Sequence, residues 1–339
     1  MKKHKSVLYI GNNLVQKTGY TISMNILSDL FVNEGIDVIK TSHRKNKVLR
    51  IFDMCFNLIK YRKKVDYVLI DVFSTSAFYY AYITSQLARI LNLKYIPILR
   101  GGNLPFRLDR SRKKCQAIFN HSFQNVSPSN YLMNEFKTRG FTTILIPNTI
   151  KVENYIFKER KKLHPRLLFV RAFANIYNPT LAIKMLEHLK KEYPSAKLCM
   201  VGPDKDGTLH EVKDIVKALK LEADVEFTGV LSQKEWHKKA EDFDIFINTS
   251  NIDNTPVSVI EAMALGLPVV STNVGGISYL IEDKVNGLLV AKNDVKAMTL
   301  AIQSLLEGNH KVIPKKARKK VEQFSWNVVK NQWINLLYS

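Results

Sequence analysis

The sequence is poor in cysteine and in acid. Its three cysteines, Cys55, Cys115 and Cys199, stand alone, with no CxxC pair and no histidine at a zinc-ligand spacing. That excludes a disulfide framework or a cysteine-held zinc, and it fits a reducing cytoplasmic compartment. Against 51 Lys and Arg there are 30 Asp and Glu, a formal charge of +21. A field of that sign favours polyanions: nucleic acid, anionic headgroups or phosphorylated substrates. No run approaches the roughly 20 apolar residues of a membrane span. The apolar stretch Val7 to Ile10 behind the basic start is too short for a signal-peptide core. Internal repeats and low-complexity tracts are also missing. The loop Gly11-Asn-Asn-Leu-Val-Gln-Lys-Thr-Gly19 is neither GxGxxG nor a P-loop, so by itself it gives no dinucleotide or ATP site.

What is present is a 339-residue chain with 46% hydrophobic and 24% charged residues, ordinary globular composition at a length that suggests two domains. Short Val/Ile/Tyr-rich runs alternate with helical-period segments, the pattern of β-α-β units around parallel sheets. Ser6–Ile10, Asp37–Thr41, Tyr67–Asp71, Lys94–Leu99, Ser122–Val126 and Thr143–Ile146 read as one set of strands, with a helix over Tyr20–Glu34. After the turn-forming Pro147-Asn148-Thr149 and the charged stretch Lys158–Lys162, read as an exposed linker, the count restarts. Arg166–Val170, Lys197–Val201, Val225–Thr228, Asp244–Ile247, Pro268–Ser271 and Gly287–Val290 form the second set. The expectation is α/β, doubly wound: a Rossmann-like domain over 1–150, another over 151–320, and a helix over 321–339 returning toward the first. Open α/β sheets bind ligands outside their strand C-termini, so a central cleft faced by both domains is the expected site.

The most informative run is Asn251-Ile-Asp-Asn-Thr-Pro-Val-Ser-Val-Ile-Glu-Ala-Met-Ala-Leu-Gly-Leu-Pro268. It reads as a loop that becomes a helix, with Thr255 as cap, Pro256 in the first position, and Gly266 with Pro268 closing it. The N–H groups of Val257 and Ser258 would then point at an anion such as a diphosphate, with no metal needed. Glu261 could accept hydrogen bonds from a ribose diol, and Asp253 from sugar hydroxyls. Equally, Ser258 to Glu261 is a capping-box spacing with a purely structural meaning.

This segment, with Val269-Val270-Ser-Thr-Asn-Val-Gly275-Gly276 behind it, resembles the E-x7-E region of the family-4 retaining glycosyltransferases, which have the GT-B fold. Ser127-Pro-Ser-Asn130, Pro147-Asn148-Thr149, Val225-Glu-Phe-Thr-Gly229 and Phe324-Ser-Trp326 fall in the family's order, so the resemblance spans nearly the whole chain. It implies transfer of a sugar, with retention, from a UDP- or GDP-linked donor to a glycan or lipid-linked acceptor in polysaccharide or lipopolysaccharide synthesis. No cofactor and no metal are implied. Asp253 and Glu261 take the two acidic positions, and Gly229, Asn254, Thr255, Pro256, Val257 and Ser258 join them on the donor side. Gly19, Arg100, Gly101, Gly102 and Asn103 fall on the acceptor side. The chain departs from the family pattern in four places: Asp253 stands where a Glu is usual, Arg171 comes one position early for the phosphate-binding Arg, Tyr177 occupies the place of a Lys, and Tyr279 replaces the Glu that follows Gly-Gly. A GT-B sugar-nucleotide epimerase, a phosphorylase or a basic non-catalytic binding protein are the alternatives. A nucleic-acid partner would need a recognised module, and none is present.

Two further segments are decoys for metal sites. Asp242-Phe-Asp244 is formally a metal-binding DxD but introduces a buried strand, and Asp204-Lys-Asp-Gly207 starts like an EF-hand loop without its closing Glu. The stretch His43–Lys64 carries basic ends around Ile51, Phe52, Cys55, Leu58 and Ile59 at helical spacing. Two readings stay open for it: a helix lying on an anionic membrane at the inner face of the cytoplasmic membrane, or a core-packed helix with solvated flanks.

Overall fold

The structure is a computed structural model that describes residues 4–13, 23–308 and 311–339. Its contacts divide into two compact units, one of residues 4–13, 23–150 and 326–339, the other of 151–308 and 311–325.

The first unit runs β1 (Ser6–Ile10), α1 (Ser23–Asn33), β2 (Asp37–Thr41), α2 (Lys47–Tyr61), β3 (Tyr67–Val72), α3 (Phe78–Ile90) and β4 (Tyr95–Leu99). It continues through α4 (Leu104–Arg110), α5 (Arg112–Phe119), β5 (Val126–Ser127), α6 (Asn130–Lys137) and β6 (Ile144–Leu145). The six strands are parallel in the order β2-β1-β3-β4-β5-β6. All six residues of β3 are buried. That is why its sequence is apolar on both faces up to Asp71 instead of alternating: a parallel sheet is covered on both sides.

The second unit holds β7 (Arg166–Val170), α7 (Pro179–Lys190), β8 (Lys197–Val201), α8 (Thr208–Ala218), β9 (Val225–Gly229), α9 (Gln233–Lys239) and β10 (Ile245–Asn248). After these come α10 (Val257–Ala264), β11 (Val269–Thr272), α11 (Ile277–Leu280), β12 (Leu288–Val290), α12 (Val295–Leu306) and α13 (Ile313–Glu322). This sheet is parallel in the order β12-β11-β10-β7-β8-β9. The chain leaves β7 toward β8 and later returns to β10 on its other side. The connections that follow β7 and β10 therefore run to opposite sides of the sheet, at the switch point where such sheets open to ligands.

The last helix, α14 (Trp326–Tyr338), belongs to the first unit. Trp326 and Trp333 set their rings edge-on to the fully buried Phe31 of α1, at 6.0 and 5.4 Å. Trp326 Nε1 donates to Glu34 at 2.9 Å.

Several expectations need correction. Residue 321 falls inside α13, and the helix that joins the first unit starts at Trp326. The strand expected over Ser122–Val126 shrinks to Val126–Ser127. Ser122 and Asn125 instead tie a turn, Ser122 Oγ donating to Phe119 O and Asn125 Nδ2 to Phe119 O and Thr142 O. The stretch Lys158–Lys162 is not a free linker. Arg160 is buried and donates to the carbonyls of Phe243, Ala240 and Gly266. Of the helix read over Tyr20–Glu34, the first residues and the Gly19 loop lie outside the described residues; α1 ends at Asn33.

Trp333 is the ring that fastens α14 most deeply. Trp333→Ala is expected to destabilise the first unit by about 3–5 kcal/mol, the usual cost of removing a buried aromatic. A lower urea midpoint for that unit's transition, with the second unit's transition unmoved, checks this.

Candidate functional site: the start of helix α10

The loop between β10 and α10 is held by a buried polar network. Asn248 Nδ2 donates to Ser271 Oγ at 2.9 Å, Thr272 Oγ1 to Ser250 O at 2.6 Å, and Thr249 Oγ1 to Tyr177 O at 2.8 Å. Asn251 N donates to Ile176 O at 2.8 Å. The loop after β10 is thus stitched to β11 on one side and to the loop after β7 on the other.

Two glycines press on this loop from behind. Gly276 N donates to Asp253 O at 3.0 Å. A Cβ on Gly275 would stand 2.1 Å from Asp253 O, and one on Gly276 would stand 2.0 Å from Asn254 O. Gly275 also has a φ of 53°, a conformation that other L-residues adopt at a cost. The pair of glycines is therefore a steric requirement of the loop.

Asp253, 8% exposed, spends its carboxylate locally. Oδ1 accepts from Asn254 N at 2.9 Å, and Oδ2 accepts from Ser250 Oγ and pairs with Arg171. Arg171, one residue past β7, also lays its guanidinium 4.4 Å from the centre of the Tyr177 ring. The sequence expected Asp253 on a sugar and Arg171 on a phosphate; the structure brings them together as an ion pair, oriented by Tyr177. Lys205 is a cation that sequence reading missed. Its segment is held beside the loop after β7, Lys205 N donating to Phe173 O at 2.9 Å. Although Lys205 is exposed as a residue, its ammonium is partly desolvated; that, with the charge of Arg171, pulls it below the usual lysine range.

The helix start differs from the expected one. α10 begins at Val257, and Pro256, with a ψ of 119°, is the cap residue. Its carbonyl accepts from Val259 N and Ile260 N at 3.1 and 3.2 Å. A proline side chain has no oxygen to offer, so α10 has no side-chain cap. Thr255 is not the cap, and the Ser258–Glu261 pair is not a capping box. The capping box of this unit is at α9, where Ser232 N donates to Glu235 Oε2 at 2.7 Å and Glu235 N to Ser232 Oγ at 3.3 Å. Among the described residues, the buried hydroxyls Thr255 Oγ1 and Ser258 Oγ have no hydrogen-bond partner. Two unanswered hydroxyls and a run of uncapped N–H groups converge at one helix end.

Glu261, one turn further on, is 5% exposed and faces a cluster. Its Oε1 accepts from Tyr155 Oη at 2.8 Å and from Gln233 Nε2, and His237 Nε2 stands 3.6 Å away. Gln233 Nε2 also donates to Tyr155 Oη at 2.9 Å, and the Tyr155 and His237 rings are 4.7 Å apart. Burial, with the charge of Glu261 second, pushes the Tyr155 phenol far above its usual range, which keeps it a proton-bearing donor. No spacing linked Tyr155, Gln233 and His237 to Glu261 in advance. Gly229 ends β9 with a φ of 70°, its carbonyl accepting from Gly202 N at 2.8 Å.

In the first unit, Arg100 is occupied. Its Nε donates to Asp71 Oδ1 at 2.9 Å, NH1 to Asn148 Oδ1 at 2.6 Å and NH2 to Tyr9 Oη at 2.8 Å. With all three nitrogens engaged and the side chain 10% exposed, it is a structural cation joining β1, β3 and the end of β4. The sequence reading put Arg100 on the acceptor side; in the structure these three bonds tie its side chain into the first unit. Gly101 packs on Ser74, whose N would lie 2.7 Å from an added Cβ. Gly102 and Asn103 lead into α4, which Asn103 does not cap through its side chain. Asp244 is buried and bonded to Arg166 Nε at 2.9 Å, a structural acid as expected. Asp204 ties a turn through Gly207 N at 3.0 Å.

Comparison with known proteins places this geometry. The family model described as Glycosyl transferases group 1 matches residues 151–324. An uncharacterized glycosyltransferase of Haemophilus influenzae is 28% identical over 206 residues, 60% of this chain and 56% of its own length. The amylovoran biosynthesis glycosyltransferase AmsK of Erwinia amylovora is 27% identical over 266 residues, 74% of this chain and 65% of its own length. The chain thus spans less than two thirds of both relatives. The crystal structure of Anabaena HepE in complex with UDP and glucose superposes with a TM-score of 0.79 at 16% identity, covering 98% of this chain and 99% of that one. The shared fold is GT-B.

Gly276→Ala is expected to force the Asp253–Asn254 backbone out of place and to destabilise the second unit by about 1–3 kcal/mol, the range for overpacking. Faster amide exchange confined to residues 251–258 and 272–277, together with a lower urea midpoint, checks it. With a family model spanning just over half of its length, and covering the loop after β7, the start of α10 and Glu261 alike, the chain belongs to the Glycosyl transferases group 1 family.

Proposed function

We propose that this protein transfers a sugar from a nucleotide-sugar donor to a glycan or lipid-linked glycan acceptor, with retention, in the making of a cell-surface polysaccharide. The observation that carries the reading is the uncapped start of α10, where the buried Thr255 and Ser258 hydroxyls lack partners among the described residues. Buried donors at a helix N-terminus favour an anion with several oxygens, and a diphosphate supplies them. Support from relatives is of the same kind: one is named for amylovoran biosynthesis, and a protein of the same fold was crystallised with UDP and glucose.

In this reading the N–H groups of Val257 and Ser258 hold the diphosphate, and Arg171 sets a positive charge beside it. Glu261, backed by Tyr155 and Gln233, receives the ribose hydroxyls. Asp253 and Asn254 lie on the side of the transferred sugar. As the bond from the anomeric carbon to the diphosphate oxygen breaks, the acceptor hydroxyl forms the new bond on the same face. Its proton passes to the departing phosphate oxygen, so no protein base is required. Neither a metal nor a cofactor has a part: Arg171 and the helix end carry the leaving charge. The nucleotide is UDP or GDP, the sugar a hexose or its relative. The protein works in the cytoplasm, where nucleotide sugars are the donors, and meets a lipid-linked acceptor from the membrane's inner face.

A screen of UDP-, GDP- and ADP-sugars by thermal shift tests the donor. The right one is expected to raise the stability of the folded state by about 2.7 kcal/mol at a hundred times its Kd, and the others by little. Glu261→Ala is expected to weaken that donor about tenfold or more, because hydrogen bonds to a charged group are worth about 1.5–3 kcal/mol. Retained donor affinity in that variant would overturn the assignment of Glu261. A product whose anomeric configuration, read by NMR, is opposite to the donor's would overturn retention.

A further inference from the structure

We infer that the outward face of α2 is a docking surface for an anionic lipid bilayer. The inference deepens the reading of a lipid-linked acceptor and takes nothing from the transfer chemistry itself.

α2 turns Arg50, Met54 and Leu58 inward and leaves Val48, Leu49, Phe52, Phe56 and Ile59 outside. The two phenylalanines are 67% and 62% exposed. Single exposed apolar residues are ordinary, but five on one face of one helix form a stripe that marks a contact surface. The neighbouring α3 also exposes Tyr79, Ile83 and Ile90. The sequence left this helix between a core-packed reading and a surface-lying one; the structure gives it both a buried seam and an unburied apolar face.

Charge decides the occupant. Arg44 and Lys45 lead into the helix, Lys47 opens it, Lys60 stands in its last turn and residues 62–64, Arg-Lys-Lys, follow it, all exposed. The one acid between His43 and Lys64 is Asp53, whose carboxylate accepts from Thr41 Oγ1 at 3.1 Å. An apolar stripe with basic ends matches acyl chains beneath a layer of anionic headgroups. A second copy of the chain matches poorly, because a two-fold contact through this face would set one cationic rim against another.

The surface is also preformed. Asn46 caps α2, accepting from Val48 N and Leu49 N at 2.9 and 3.2 Å. Arg50 anchors the preceding turn from within, donating through Nε to Arg44 O at 2.7 Å and through NH2 to Lys45 O at 2.9 Å. Its guanidinium lies 5.7 Å from the ring centre of Tyr80 on α3. The stripe is therefore held rigid on the fold before any lipid arrives.

Cosedimentation of the full chain with vesicles of phosphatidylcholine alone, or mixed with phosphatidylglycerol, is the test. The wild type is expected to pellet with the mixed vesicles, to be released by salt, and to stay in solution with phosphatidylcholine alone. Phe52→Ser with Phe56→Ser, and separately Lys60→Gln with Lys63→Gln and Lys64→Gln, are each expected to lower that partitioning about tenfold or more, with unchanged thermal midpoints. These side chains are exposed, so folding is spared. Three results would each overturn the proposal: a wild type that ignores anionic vesicles, variants that bind as well as the wild type, or a wild-type dimer that the phenylalanine pair converts to monomer. No sugar is present in the assay. A negative result therefore leaves the transfer reading to its own test, and vesicle binding without transfer would separate the two in the other direction.

Discussion

The hydrogen bond from Gly276 N to Asp253 O, made at a separation that admits no Cβ on either glycine, is the constraint on which the second unit's site rests. It fixes the loop after β10 against the chain leaving β11. Once that loop is placed, Asp253 reaches Arg171, the ring of Tyr177 backs the guanidinium, and α10 starts where it does. The ion pair adds little to stability in its own right, since two desolvated charges must first recover what they lost in leaving water. What it contributes is position: a cation and an acid held at the same helix end.

An uncapped start is common in this chain, since α3, α4, α7, α8 and α13 also lack a side-chain cap bond; what marks α10 is the pair of buried hydroxyls beside it. The α9 helix is finished with a complete capping box, while α10 has a proline cap and two buried hydroxyls without partners among the described residues. Glu261, held by Tyr155 and Gln233, follows one turn along the same helix. The first unit distributes its polar residues differently: Arg100 is tied to Asp71, Tyr9 and Asn148, and α2 exposes an apolar and basic outside.

The sequence by itself determined the α/β class, nearly all of the strands and the existence of the loop-to-helix segment with Glu261, because each is written in local periodicity and in the chemistry of neighbouring residues. Gly275 and Gly276 were legible as part of a resemblance, though their reason, contact with a backbone some twenty residues away, was not. The tertiary structure decided which partners the polar groups took. Arg171 and Asp253 are 82 residues apart, and Tyr155 and Glu261 are 106 apart; no spacing rule joins groups at that distance, because only the return of the chain across the sheet does. The same holds for Thr255, a good cap by composition that lost the role when Pro256 took an extended ψ. It holds for Arg100 as well, which looks like a binding residue until three distant acceptors are placed around it.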